Sequence, residues 1–152
     1  MIVFELDSSA LDRLGARLGE ALEVRAEELN AAAGALVVGM ILRTQGGRGQ
    51  DGHFFKPYAA STEADRSRRG RSTKPVTLSD TGALLASIQH RVEGAQAVVY
   101  FADARMGERA MWLHEGTQHM PARPWFGFSQ RDLDAAGALI AERIARRIGD
   151  MP

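Results

Sequence analysis

The chain has 152 residues, 45% of them apolar and 25% charged, with 19 basic and 19 acidic side chains and no cysteine. That length suffices for one domain with a core of its own, and the composition is that of an ordinary soluble globular protein. It excludes disulfides and thiolate metal sites, and a net charge of zero argues against a dedicated DNA-coating protein, whose domains are strongly basic. No apolar run reaches membrane-spanning length and no signal peptide opens the sequence, so the expected setting is the cytoplasm, with no membrane partner. The charge is unevenly spread: residues 1–44 carry a net −3, residues 45–77 a net +4 and the remainder a net −1.

Ile2–Leu6 reads as a short strand, and Ser9 with Asp12 as a capping-box start for a helix. Leu11, Leu14, Leu18, Leu22, Leu29, Ala33, Leu36 and Met40 then recur at helical spacing over about thirty residues, longer than the usual globular helix. Arg25 interrupts the stripe, and Gly15, Gly19, Gly34 and Gly39 weaken it by about 1 kcal/mol each relative to alanine. The stripe suits a core-facing helix, a contact with a neighbouring subunit, or both along its length.

Four glycines between Gly46 and Gly52 end this helix in a mobile loop. The order of a phosphate-cradling P-loop is absent, and the segment follows a helix where a P-loop follows a strand. Phe54-Phe55-Lys56-Pro57-Tyr58 is aromatic and punctuated by proline. From Thr62 to Pro75 no apolar periodicity supports a packed element, while Arg66, Arg68, Arg69, Arg71 and Lys74 crowd together. An extended basic arm, poorly ordered in isolation, is expected here, within a flexible loop over 45–75. Its plainer reading is a solvated loop. Its functional reading is a contact with DNA phosphates in a channel, or docking on an acidic partner.

Ser79 can cap a short helix over Asp80–Ala86. Ser87–Glu93 and Gln96–Ala102 read as strands joined by Gly94-Ala95 into an antiparallel hairpin. Glu108–Glu115 can form a short helix ended by Gly116. In the arm that follows, Pro121 and Pro124 stiffen the backbone and Trp125, Phe126 and Phe128 carry a large apolar load. Trp125 and Phe126 are expected to bury in the core. Arg123 is expected to make a fixed, fork-shaped contact with a carboxylate or with backbone carbonyls. Ser129 with Asp132 opens a final helix from Gln130 to Ile148, with Leu133, Ala136, Leu139 or Ile140, Ile144 and Ile148 on its apolar side. Arg143, Arg146 and Arg147 in its last turns suit the helix dipole.

Two long helices, one or two short ones and a few strands make a single α+β domain over 1–152. A small antiparallel sheet of three to four strands is expected to pack with a long N-terminal helix and a C-terminal helix. Neither an internal repeat nor a second domain is visible.

Three segments carry a resemblance. His114-Glu115-Gly116-Thr117-Gln118-His119-Met120-Pro121-Ala122-Arg123-Pro124-Trp125-Phe126-Gly127-Phe128-Ser129 resembles the G-T-x-x-x-P-A-R-P-(F/W) signature of the phage virion-morphogenesis, or tail-completion, family. Phe55-Lys56-Pro57-Tyr58 with Ser61-Thr62 is similar to that family's F-x-P-Y-x-x-x-T segment, and Leu78 to Ile88 is similar to its L-x-D-T-G-x-L-x-x-S-I segment. The resemblance implies a structural virion protein of bacteriophages and prophages that is assembled in the host cytoplasm. It implies a role in tail completion and head–tail joining, as a ring-forming subunit at the neck or the head-proximal tail end. Other tail and neck proteins would be its partners, and a sixfold ring is favoured in the virion even if the isolated subunit is monomeric. Arg123, Pro121, Pro124, Trp125 and Phe126 are then the assembly candidates.

A catalytic reading finds little support. His114 and His119 are five apart, roughly 140° around a helix, whereas the zinc-protease motif needs four, and Gly116 intervenes. His53 and His90 have no ligand pattern around them. Asp80 with Asp103 is one arbitrary pair among nineteen acids, and Ser79 and Ser87 lack a nucleophile elbow. No enzyme activity, metal or cofactor is expected. The alternative function is a small host-directed protein that binds nucleic acid through the 66–74 arm.

Overall fold

The computed structural model describes Ala16, Gly19, Glu20 and residues 22–150. The expected strand Ile2–Leu6, the Ser9–Asp12 cap, Gly15 and the stripe positions Leu11, Leu14 and Leu18 lie outside those residues. Ala16, Gly19, Glu20 and Leu22 are helical, but the helix does not continue through Arg25. A separate helix, α1, spans Ala26–Gln45. The expected single helix of about thirty residues is corrected at this point. Arg25 is extended, with φ −86° and ψ 159°, and its N–H donates to Glu28 Oε2 at 2.8 Å. A glutamate reaching back from the third helical position satisfies one of the donors a helix start leaves open.

Along α1 the buried positions are Glu28, Ala32, Ala33, Val37, Met40 and Thr44. Leu29 and Leu36, expected on the core face, are only half-buried. Ala33 and Met40 are buried as expected, and Glu28, Ala32, Val37 and Thr44 join them because α1 lies against a helix on one side and two strands on another.

Helix α2 spans Ala60–Arg68, which corrects the expected extended arm. It has little apolar surface and is held by other means. Ala60 and Ala64 are strong helix formers, and Asp65 pairs with Arg68 at 3.1 Å and with Arg69 at 2.8 Å, three and four residues on. Such spacing brings opposite charges together on one helix face. Gly70, at φ 64°, turns the chain out of the helix, the usual use of a left-handed glycine.

Helix α3 is shorter than expected and spans Ala83–Ala86. Ser79 does not cap it; Gly82, at φ 83°, precedes it, and Thr81 Oγ1 accepts from the Ala83 N–H at 3.4 Å. Strands β1 (Ile88–Glu93) and β2 (Gln96–Phe101) form the expected antiparallel hairpin, with Ile88 opposite Phe101 and Glu93 opposite Gln96. Gly94, at φ 59°, opens its two-residue turn, where an L-residue with a Cβ is disfavoured. Among the described residues this pair is the whole sheet, two strands where three to four were expected.

Helix α4 spans Ala104–Glu115. It begins four residues before the expected start because Asp103 accepts from the Arg105 N–H at 2.8 Å and caps it. Helix α5 spans Gln130–Gly149 and opens with the expected capping box: Ser129 Oγ accepts from the Asp132 N–H and Asp132 Oδ2 from the Ser129 N–H. α5 packs along α1. At the far end of that contact Arg147 Nη1 lies 3.0 Å from the buried Glu28, so Arg147 ties two helices rather than serving only its own helix dipole.

The glycine-rich segment after α1 folds back on itself. Arg48 bridges Phe54, and the Phe55 N–H donates to the Gly47 carbonyl at 2.8 Å. Gly47 has φ 77°, and a Cβ there would lie 2.7 Å from the Pro75 Cβ. Only glycine serves at that crossing. The core gathers Val37, Met40, Phe55, Val76, Leu78, Leu84, Leu85, Ile88, Ala110 and Trp125.

Candidate functional site: the cleft between Tyr58, Asp80 and Arg123

Trp125 is fully buried. Its Nε1 donates to the Ala110 carbonyl at 3.3 Å. Its ring meets Phe101 and Phe126 edge-on at centroid distances of 6.1 and 5.6 Å, the favoured arrangement for aromatic quadrupoles. Phe126 is half-buried and packs on the same cluster. Pro121 and Pro124 stay exposed. The arm therefore puts its aromatic load inside and its prolines outside.

Arg123 is buried, 3% exposed, and pairs with no carboxylate among the described residues. Nε donates to the Lys56 carbonyl at 3.0 Å and Nη2 to the Pro57 carbonyl at 2.9 Å. Burial pushes its guanidinium down from the usual arginine range. This is the carbonyl form of the expected fork, and it staples the P-A-R-P segment to the F-x-P-Y segment.

A second clasp was missed in the sequence. Arg43, on the last turn of α1, donates through Nη2 to the Trp125 carbonyl at 3.1 Å and the Gly127 carbonyl at 2.6 Å, while Nη1 pairs with Asp132. Asp132 thus serves both as a helix cap and as the counter-charge of Arg43. A basic residue in the last turn of a helix reads as a dipole complement, so nothing local marks Arg43 as a tertiary tie.

The residues of the expected basic arm separate. Arg66 is 7% exposed; Nε donates to the Ser72 carbonyl at 2.8 Å and Nη2 to the Ser79 carbonyl at 3.1 Å. Arg69 holds Asp80 at 2.9 Å as well as Asp65, and Arg71 Nε lies 3.5 Å from Asp80. Arg68 pairs with Asp65 in solvent, and Lys74 is exposed. Asp80 is therefore the hub of a small arginine cluster. The hydrogen bond from Arg69 holds its carboxyl below the ordinary 3.8, and the charges of Arg69, Arg71 and Arg66 act in the same direction. Asp80 and Asp103 do different work, one as an ion-pair hub and the other as a helix cap. Of the histidines, His114 Nδ1 accepts from the Phe126 N–H at 3.3 Å, and His119 is exposed in the turn beyond Gly116. Among the described residues no three His, Asp or Glu side chains gather as a metal site.

These ties bring three distant segments to one open cleft of about 390 Å³. Tyr58 and Thr62 come from the first, Leu78, Asp80, Thr81, Gly82 and Leu84 from the second, and Pro121 and Arg123 from the third. The Arg66 and Arg123 guanidiniums lie 4.8 and 5.6 Å from the centre of the Tyr58 ring, within the range of cation–π attraction. Leu78, buried on the cleft floor, has φ 53°. A leucine in that left-handed region stores strain of roughly 1–3 kcal/mol, and such strain concentrates at functional sites.

The three segments are those whose order and spacing resemble one family, and the profile of the phage virion morphogenesis family matches residues 6–145. The chain belongs to the phage virion morphogenesis family. It is thereby a structural protein of the bacteriophage virion. Neither a curated protein nor a solved structure matches it. Among the described residues no helix is long and apolar enough to cross a membrane.

Proposed function

We propose that this phage virion morphogenesis protein completes the tail and joins it to the head, as a non-enzymatic subunit of a ring at the neck or the head-proximal tail end. Six copies, set by the symmetry of the tail, would form the ring on contact with other tail and neck proteins, whether or not the isolated subunit is a monomer. The reading is carried by the meeting of three segments, spread from Phe55 to Phe126, around one cleft whose walls are tied by Arg123 and Arg66. A rigid frame stapled by buried arginines suits a part that works by fitting against neighbours. Exposed apolar side chains on α1 (Val38, Leu42) and α4 (Met111, Trp112) offer further contact surface.

The alternative, nucleic-acid binding through residues 66–74, is disfavoured by what those side chains already hold. Of Arg66, Arg68, Arg69, Arg71 and Lys74, four are engaged with Asp65, Asp80 or backbone carbonyls. The test is deletion of the gene in its phage or prophage, with electron microscopy of the lysate. Separate full heads and unjoined tails are expected, restored to whole particles by the gene supplied in trans. Normal joined, infectious particles from the deletion would sink the proposal.

A further inference from the structure

Four arginines line the cleft, Arg66, Arg69, Arg109 and Arg123, against the single carboxylate of Asp80. Two of them are spoken for: Arg69 pairs with Asp80 and Asp65, and Arg66 lies within 4.0 Å of Asp80. The other two are not. Among the described residues Arg109, exposed on α4, pairs with no carboxylate, and Arg123 uses Nε and Nη2 on carbonyls and leaves Nη1 without a protein acceptor. Tyr58, also lining the cleft, has a buried hydroxyl with no hydrogen-bond partner among the described residues. A buried hydroxyl left without a partner is costly, and this one belongs to a residue that lines the cleft. The floor between these groups is apolar, formed by Leu78, Leu84, Leu113 and Met120.

We infer that this cleft receives a carboxylate-bearing, otherwise apolar peptide segment of a neighbouring virion protein, an inference that rests on the head–tail joining role proposed above. The acid would sit between Arg109 and the free Nη1 of Arg123 and accept charge-assisted hydrogen bonds from both, and flanking apolar side chains would cover the floor. A peptide is favoured over DNA by shape and polarity. A recess of about 390 Å³ with an apolar floor suits side chains, whereas a duplex presents phosphates on a broad convex backbone that exposed basic side chains meet. The net excess of cations supplies the complementarity and would steer an acidic segment to the cleft.

The test uses the full chain and three probes: a short peptide alternating aspartate and leucine, its asparagine counterpart with an amidated end, and a short DNA duplex. Fluorescence anisotropy should show saturable binding of the acidic peptide only. Arg109→Ala should weaken it about tenfold or more, and Arg109→Lys should restore part of it, with the thermal midpoint of both variants unchanged. No binding of the acidic peptide, or equal binding of the asparagine peptide, would overturn the inference. So would DNA binding that competes with the peptide and depends on Arg109, which would make the cleft a phosphate site. Arg109→Glu in the phage separates this idea from the role it rests on. Unjoined heads and tails support both. If the deletion abolishes joining while Arg109→Glu joins normally, the cleft inference falls and the joining role stands. If the deletion itself joins normally, the role falls as well.

Discussion

Arg123 and Arg69 are the same residue type in adjoining walls of one cleft, and they do opposite work. Arg123 is buried, meets no carboxylate among the described residues, and is held through Nε and Nη2 by two carbonyls from a distant segment. Arg69 is about half exposed and sits between two carboxylates. Burial decides the difference. A charge taken out of water without hydrogen bonds is expensive, so Arg123 persists because carbonyls meet its Nε and Nη2, and removing either side leaves an unmet group. An ion pair in solvent gains little and yields to salt. The arm around Arg123 should therefore behave as core, and the cluster around Asp80 as an adjustable surface.

The largest effect expected from breaking this contrast is at the base of the dry wall. Trp125→Ala should cost about 3–5 kcal/mol, a large share of a small domain's stability. Denaturant unfolding measures it, and an unchanged midpoint would reverse the assignment of the arm to the core. Arg123→Ala should follow at about 2–3 kcal/mol, since two carbonyls lose a charged donor. Arg123→Lys should recover little of that, because a point ammonium cannot span two acceptors as a planar fork does. Full recovery by lysine would show that charge, not geometry, holds the wall. Arg43→Ala should cost about 2 kcal/mol by releasing the arm from the end of α1, and Asp132→Ala should add on top of it only the loss of the α5 cap, about 1 kcal/mol. A double-mutant cycle reads the coupling, and simple additivity would show that the two side chains act independently.

The smallest effect belongs to the wet wall. The folded-state pKa of Asp80 is depressed below 3.8. Its stabilising contribution is therefore complete above the unfolded value of 3.8 and is lost as pH falls through the lower folded value. Wild type and Asp80→Asn should differ slightly in thermal midpoint at neutral pH and converge in acid, and salt should shrink the neutral gap. A gap that persists in acid would mean that Asp80 works through geometry rather than charge.

Part of this molecule was legible in its residues, wherever neighbouring side chains are enough to decide. The hairpin Ile88–Glu93 with Gln96–Phe101 follows from alternating residues around a glycine turn. The start of α5 follows from Ser129 and Asp132, whose bonds span three residues. The end of α4 follows from Gly116, and the inward placement of Trp125 from sheer apolar area. Family membership was also legible, because three segments keep their order and spacing along the chain. Helix α2 was legible in principle through Ala60, Ala64 and the Asp65–Arg69 spacing, but a search for apolar periodicity alone passes over a helix held by ion pairs. The remainder came from the folded arrangement. That Arg43 reaches Trp125 and Gly127, that Arg66, Arg69 and Arg71 turn toward Asp80, and that Arg123 meets Lys56 and Pro57 all depend on partners far along the chain or across a fold. An arginine carries the same charge and reach wherever it stands. Whether it is solvated, paired or buried is set by what the fold places within a few ångströms of its guanidinium, and no spacing rule encodes that.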